Sequence, residues 1–104
     1  MNENTVSTET ITFKNWLAGM TKIYNDYMTN RFPNLVKDPI TYVEGSRYIR
    51  VIRGGSAHAF IDRRNGDVLK PATWKAPAKG MRGNIFDESN GLSRMTEHGP
   101  MYLR

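Results

Sequence analysis

Apolar residues in the first third of the chain recur at intervals of three and four. They are Phe13, Trp16, Leu17, Met20, Tyr24, Tyr27 and Met28. This spacing places them on one face of a helix, which we predict from about residue 12 to residue 31. Such a stripe can form a binding groove, but its usual role is packing, so we interpret it as the face that packs on a sheet.

The ends of this helix have local signals. Thr12 is the predicted N-cap, with Ile11 and Trp16 arranged around it as a hydrophobic staple. Phe32 precedes Pro33, and the residue before a proline is disfavoured in helical backbone, so the helix should end there. Residues 1–10, MNENTVSTET, are polar and slightly acidic. We expect them to form a flexible N-terminus.

Beyond a connection that contains two prolines, the apolar period shortens to two. The alternation predicts strands at Thr41–Glu44, Arg47–Arg53, Ala57–Arg63 and Asp67–Lys70. Gly54-Gly55 is a predicted two-residue turn with positive φ at both positions. Pro71 cannot donate a hydrogen bond to a neighbouring strand, so the fourth strand should end before it.

The turn between the third and fourth strands allows two registers. One uses the two-residue loop Asn65-Gly66, and the other uses the three residues 64–66 with Gly66 left-handed. We favour the second register because it creates a salt pair and an apolar pair on one face. Those pairs are Arg63 with Asp67 and Ile61 with Leu69.

These elements together predict an α+β fold. One N-terminal amphipathic helix packs on a three- to four-stranded antiparallel β-meander, followed by a long irregular C-terminal wrap from Ala72 onward. If the helix covers one sheet face, the other would still carry apolar groups such as Ile49, Val51 and Phe60. We expect either the C-terminal third or a second copy of the chain to cover them. Residues 101–103 could add an edge strand.

The whole chain fits one domain, residues 1–104, without internal repeats or linkers. It contains no cysteine, which excludes disulfides and thiolate metal sites. No stretch approaches the roughly 18 consecutive apolar residues of a membrane span, and the start lacks a signal-peptide pattern. We therefore expect no membrane association.

Charge changes this picture by suggesting a partner. Fifteen lysines and arginines exceed ten acidic residues, for a net charge of +5 and an isoelectric point near 9.7. Such a balance favours an anionic partner, most simply nucleic acid, although many small basic proteins use their charge only for solubility.

Catalytic signals are weak. His58 lies between two alanines on a predicted strand, where a structural role is the more common one, and His98 lies in a Gly-Pro turn. No spacing of histidine and carboxylates matches a metal site or a catalytic carboxylate pair. We predict no cofactor, no metal and no enzymatic activity.

The basic segment after the fourth strand is the strongest candidate site. Its members are Lys70, Trp74, Lys75, Lys79 and Arg82. Cations on an extended backbone can follow phosphates, and an exposed tryptophan can stack on a base. The alternative is that Trp74 anchors the core, and the residues alone favour this slightly. Further arginines could extend the basic surface, although alternation divides them between the two faces. They are Arg47, Arg50, Arg53, Arg63 and Arg64.

The run from Phe60 to Asp87 resembles short proteins encoded by tailed bacteriophages, including those of marine and gut communities. The shared elements have the form FID-x-x-x-GDVLK, WKAPAK and RGNIFD. Gly80-Met81, before the last element, departs from the expected pattern. The resemblance implies a viral origin and expression in the host cytoplasm, and it brings no known activity.

We therefore expect a small non-enzymatic phage protein that binds nucleic acid or another polyanion through its basic segment. The alternative is a protein-interaction module acting as a homodimer, either a host-takeover factor or a minor virion component that meets a host or viral protein. Salt separates the two, because binding to a polyanion weakens steeply as salt rises.

Overall fold

A computed structural model describes residues 5–101. The helix α1 spans Ile11–Arg31, and five strands follow it: β1 Ile40–Glu44, β2 Tyr48–Arg53, β3 Ser56–Asp62, β4 Asp67–Pro71 and β5 Pro77–Asn84. These strands form one antiparallel sheet in the order β1-β2-β3-β4-β5. Two short strands, β6 Met95–Thr96 and β7 Gly99–Pro100, form a separate hairpin. The α+β meander is confirmed, with one strand more than predicted.

The fifth strand was hidden because it lacks a regular period. Its pairing with β4 shifts register twice, between Asp67 and Leu69 and between Leu69 and Pro71. Each irregularity breaks the alternation by which a strand is recognised in a sequence. Gly80 and Gly83 within it have φ of 93° and 145°, which further departs from regular strand backbone.

The helix begins earlier than predicted. Thr10 is the N-cap residue, and its side chain makes no capping hydrogen bond to the helix. Its hydroxyl oxygen instead accepts the backbone N–H of Ser7 at 3.0 Å. Ile11 is 69% exposed, so the predicted capping pattern at Thr12 and its hydrophobic staple are both wrong. The helix ends at Arg31, before Phe32, as predicted.

Residues 5–10 pack against the sheet near the turn that follows β3, which their polar composition did not indicate. Val6 is buried, and its N–H donates to the carbonyl of Arg63 at 2.6 Å. The Arg63 guanidinium donates back to the carbonyl of Val6 at 2.8 Å. Residues 1–4, the rest of the predicted flexible N-terminus, lie outside the described chain.

The helix packs on one side of the sheet, which we call the covered face. The core contains Phe13, Trp16 and Met20 from α1, and Ile49, Val51, Ala59, Ile61 and Val68 from the strands. The apolar stripe of the helix is therefore a packing face. The opposite side of the same strands is called the open face here, and α1 does not cover it.

Phe60 lies on the open face, whereas Ile49 and Val51 are on the covered face. Arg50 is directly opposite Phe60, and Ile49 is opposite Ile61, so the alternation separates the two sets. The expectation that these three apolar residues share one face was wrong. A register shift between Val51 and Ile52 leaves one extra residue in β3, and a bulge of this kind cannot be read from alternation alone.

The turn between β3 and β4 has a register that neither alternative anticipated. Ile61 is opposite Val68 and Phe60 is opposite Leu69, so four residues, 63–66, connect the strands. Both predicted registers are wrong because pairing Ile61 with Val68 buries both in the core. The expected salt pair is also lost, since the Arg63 guanidinium lies 3.6 Å from Glu44.

The glycine turns are partly as predicted. Gly66 has φ +85°, which confirms its left-handed conformation. In the Gly54-Gly55 turn only Gly54 has positive φ, at +60°. The prediction of a positive φ at Gly55 was wrong.

The C-terminal segment packs on the helix side of the sheet and leaves the open face uncovered. Leu92 lies against Gly19, and Met95 joins the core. The amide of Asn90 donates to the carbonyl of Thr12 at 3.2 Å. Of the C-terminal third, the loop at residues 72–76 reaches the second sheet face, whereas the residues beyond β5 pack on the helix side. The expectation that this third covers the second face therefore holds only for that loop. Residues 102–103 of the predicted edge strand lie outside the described chain.

Within residues 5–101, no helix has both the length and the apolar character needed to cross a membrane.

Candidate nucleic-acid interface on the open face

The connection between β4 and β5, residues 72–76, projects Trp74 over the open face. This short loop is held by its own hydrogen bonds. The N–H groups of Ala72 and Thr73 both donate to the carbonyl of Ala76 at 3.0 Å. The Thr73 hydroxyl accepts the N–H of Lys75 at 3.2 Å and that of Ala76 at 3.1 Å. The loop therefore presents Trp74 from a defined position.

Trp74 is 45% exposed, so it is not a core anchor. The Arg50 guanidinium carbon lies 4.7 Å from the centroid of its ring. That distance is within the range of a cation–π contact, and part of the Trp74 ring remains accessible to solvent. The interpretation that the residues alone slightly favoured is overturned.

Arg50 is the centre of this surface. Its guanidinium also lies 6.0 Å from the ring centroid of Phe60, which is buried beneath it. The Nε atom of Arg50 is buried and has no hydrogen-bond partner in the described part of the molecule. Two rings therefore position a cation at the middle of the open face.

Arg47 and Tyr48 extend the same arrangement toward the β1–β2 loop. The Arg47 guanidinium carbon is 5.1 Å from the centroid of the Tyr48 ring. The Tyr48 and Phe60 rings meet edge to face at 6.0 Å. A continuous row of guanidinium and aromatic contacts thus runs across the open face from Arg47 to Trp74.

Two adjoining pockets follow this row. The first, about 200 Å³, is lined by Val43, Gly45, Ser46, Arg47, Tyr48, Arg50, Phe60 and Lys75. The second, about 400 Å³, shares Arg47 and Tyr48 with the first and is bordered by Lys79. Four cationic side chains therefore border this depression, whose two pockets share Arg47 and the Tyr48 ring.

The acidic residues near this depression already have partners. Asp62 is buried, and its carboxylate lies 3.6 Å from Arg47 and 3.6 Å from Arg64. Asp67 accepts the side-chain amide of Asn84 at 3.0 Å. Asp62 therefore offsets part of the charge of Arg47, whereas no carboxylate of the described residues forms an ion pair with Arg50, Lys75 or Lys79.

The structure divides the five predicted site residues. Trp74, Lys75 and Lys79 border the open face. Arg82 is buried, and its guanidinium donates to the carbonyls of Met101 at 3.2 Å, Lys79 at 3.0 Å and Gly80 at 2.6 Å.

Lys70 belongs with Arg82. Its Nζ donates to the carbonyl of Pro100 at 3.0 Å. Burial lowers the pKa of Lys70, and the charge of Arg82 lowers it further. Both cations fasten the end of the described chain to β4 and β5, so we leave them out of the proposed interface.

Sequence reasoning offered Arg47 and Arg50 only among five arginines that could extend the basic surface, and it missed Tyr48. The usable signal was the alternation of β2, which separates Arg50 from Arg53. On the covered face, Arg53 lies 5.4 Å from the ring centroid of Tyr24. Which of the two faces stays open depended on the packing of α1, which no local pattern reveals.

His58 is buried beside Gly99, away from the open face. Burial and then the nearby Arg53 lower its pKa to about 4. His98 lies at the surface, with its ring centroid 5.7 Å from that of Tyr27. Among the described residues, no three histidines and carboxylates come together as a metal site would require.

Comparisons with known proteins give one match. No curated protein and no solved structure matches the chain. The sequence profile of one family covers residues 2–101, nearly the whole length. The chain therefore belongs to DUF7717, a family of unknown function.

Proposed function

We propose that this protein binds single-stranded nucleic acid across the open face of its sheet. The observation that carries the proposal is the pairing of a partly exposed Trp74 ring with the Arg50 guanidinium, 4.7 Å apart. A ring of this kind accepts a stacked base, and the neighbouring guanidinium meets the phosphate that follows it. The site is non-enzymatic in this proposal.

The surrounding charges support a backbone path. Lys75 and Arg47 line the same pocket as Arg50, and Lys79 borders the next one. Cations spaced along a groove that also offers rings are typical of proteins that bind single strands with little sequence preference. The net charge of +5 adds long-range attraction to a polyanion.

Single strands fit better than duplexes because duplex bases are already stacked on each other. An exposed tryptophan ring gains little from a duplex, whose base faces are hidden, whereas unpaired bases can rest on it. The described surface also has no helix that projects from the open face toward a major groove.

The setting we propose is the cytoplasm of a bacterial host during infection. It depends on the resemblance of residues 60–87 to proteins of tailed bacteriophages. There, unpaired nucleic acid would be available during replication and transcription.

The test measures fluorescence anisotropy of a labelled oligonucleotide of about 12 nucleotides, at low salt and then along a salt series. Trp74→Ala should weaken binding by about 1–3 kcal/mol because a stacked base is lost. Lys75→Ala should lower the slope of log affinity against log salt by about 0.7, the contribution of one phosphate contact.

Lys22→Ala is the matched control, since it removes the same charge from α1, on the other side of the sheet. We expect it to leave the affinity nearly unchanged. Absence of binding at low salt would contradict the proposal. So would equal losses in Lys22→Ala and Lys75→Ala, because only net charge would then matter.

The second candidate function is a protein-interaction module. Leu35 and Val36 are exposed in the connection that precedes β1. Apolar side chains at such positions favour a protein partner, which would be a host or viral protein. Binding through them should change little with salt, whereas nucleic-acid binding should weaken steeply.

A further inference from the structure

The strand β1 forms one edge of the sheet, and its outer backbone groups face solvent. The N–H of Gly54 donates to the carbonyl of Pro39 at 2.9 Å, and that of Gly45 donates to Tyr48 at 2.8 Å. In an antiparallel pair the residues that bond to the neighbouring strand alternate along the chain. The backbone N–H and C=O groups of residues 39, 41, 43 and 45 therefore point toward β2, and those of residues 40, 42 and 44 point outward.

This edge has few of the usual protections against pairing, and Glu44 is the one charged residue of β1. Its five residues, ITYVE, include no proline, lysine or glycine, and its pairing with β2 has no register shift. Tyr42 is 42% exposed and Val43 is 51% exposed. In the part of the chain that is described, no other backbone segment bonds to the outward groups of Tyr42.

The pattern of the edge is also symmetric about its centre. The outward positions are 40, 42 and 44, so a twofold axis at Tyr42 places each outward position opposite another outward position. Tyr42 then faces its own copy, Ile40 faces Glu44, and Thr41 faces Val43. The last pair is β-branched on both sides, which is favourable between antiparallel strands.

We infer that β1 pairs antiparallel with β1 of a second copy of this chain, forming a ten-stranded sheet with a twofold axis at Tyr42. A second copy fits better than an unrelated strand because this edge is its own complement, as an isologous interface requires. The homodimer expected from the sequence thus forms through an edge and not through a sheet face.

The consequence of this arrangement for ligand binding rests on the proposed function. A twofold axis perpendicular to the sheet keeps both open faces on the same side. The two Arg50 residues would be three strand spacings apart across the sheet and two residues apart along it, about 16 Å in all. Val43 lines the first pocket, so the partner's β1 would also border it. The open faces of the two copies would then form one continuous binding surface.

The first test measures molar mass by light scattering over a concentration series, without nucleic acid. The wild type should rise from 11.9 kDa toward twice that mass. Tyr42→Pro removes the outward N–H at the centre of the edge, so it should remain monomeric. Tyr42→Ala keeps that N–H and serves as the matched control, which should still dimerise.

A second test does not depend on how well the proline variant folds. The chain has no cysteine, so a single introduced thiol can form a disulfide only between copies. Facing residues that exchange hydrogen bonds have Cα atoms about 5.5 Å apart, which suits a disulfide. Tyr42→Cys should therefore crosslink under mild oxidation.

Val43→Cys is the control for register. Its copies would be offset by two residues along the strands, at about 8 Å, too far for a disulfide. A wild type that stays monomeric at all concentrations would overturn the inference, and so would crosslinking at 43 without crosslinking at 42. Dimerisation is measured without nucleic acid, so its failure leaves the oligonucleotide result intact, and the reverse also holds.

Discussion

The covered face and the open face are built from alternate residues of the same strands, yet they differ in almost every physical property. Ile49, Val51 and Ile61 point to the covered face and meet the helix in a dry core. Arg50 and Phe60 point to the open face, where the Arg50 cation lies near the buried Phe60 ring and the partly exposed Trp74 ring. Burial therefore explains the residues of the covered face, but it does not explain the cation and the exposed tryptophan of the open face.

The two faces also differ in their freedom to bind a ligand. A face filled by packing has little freedom to bind anything else. On the open face, the partly exposed Trp74 ring lies beside Arg50, which forms no ion pair among the described residues, and a contact of this kind contributes modestly to stability. The two tryptophans give the most direct comparison, because Trp16 is fully buried and Trp74 is not.

The largest expected effect is on the covered face. Trp16→Ala should lower the free energy of unfolding by about 3–5 kcal/mol, since it removes a buried ring and leaves a cavity. Trp74→Ala should lower it by less than about 1 kcal/mol, because only an exposed contact is lost. Urea unfolding followed by circular dichroism measures both. Similar losses in the two variants would break the distinction between the faces.

Buried His58 should make the stability of the protein depend on pH. Burial, then the charges of Arg53, His98 and Lys70, lower its pKa from 6.5 to about 4. The unfolded chain therefore binds the proton more readily, so stability is fully present above pH 6.5 and falls as the pH drops toward 4. Between pH 7 and pH 5 we expect this group to contribute a loss of roughly 2 kcal/mol.

The measurement compares unfolding of the wild type with that of His58→Asn across this pH range. Subtraction removes the effect of carboxylates, which also titrate at low pH. His98→Asn is the comparison variant: it removes only one of the lesser charges that lower the pKa of His58, so it should change the wild-type pH dependence only slightly. An unchanged dependence in His58→Asn would show that the imidazole is not in a dry environment.

The turn where β3 leads into β4 should show an intermediate effect. Gly66 has φ +85°, and a Cβ there would lie 2.7 Å from the Phe86 ring. Gly66→Val should destabilise the protein by about 1 kcal/mol or more. Gly55, in the other turn, has ordinary φ and open space around it, so Gly55→Val should cost much less. Equal urea midpoints for both variants would contradict this assignment.

The smallest expected effect belongs to the cation on the open face. Arg50→Gln should lower stability by only about 0.5–1 kcal/mol, the range of an exposed cation–π contact. It should also make Trp74 more accessible to acrylamide, measured by fluorescence quenching in a Trp16→Phe background. Arg53→Gln removes the same charge on the covered face and should leave that quenching unchanged. Unaltered quenching in Arg50→Gln would mean that Arg50 does not cover the ring.

The candidate site was only partly predictable. Trp74 and Lys75 were identified because a basic, proline-punctuated segment stands out from an alternating one. Arg82 belongs to the same segment and looks equivalent in sequence, but it is buried against three carbonyls. Arg50 was not singled out because its role depends on the loop at residues 72–76, more than twenty positions away.

The residues by themselves determined the elements that depend on local spacing and backbone preference. The helix, four of the five strands and the left-handed Gly66 follow from periodicity and from the steric freedom of glycine. Only the tertiary structure decided which sheet face α1 covers, how β3 and β4 are registered, and that Trp74 rests against Arg50. Those outcomes depend on which long-range packing buries the most apolar surface. That buried area is a property of the whole chain, and no local pattern contains it.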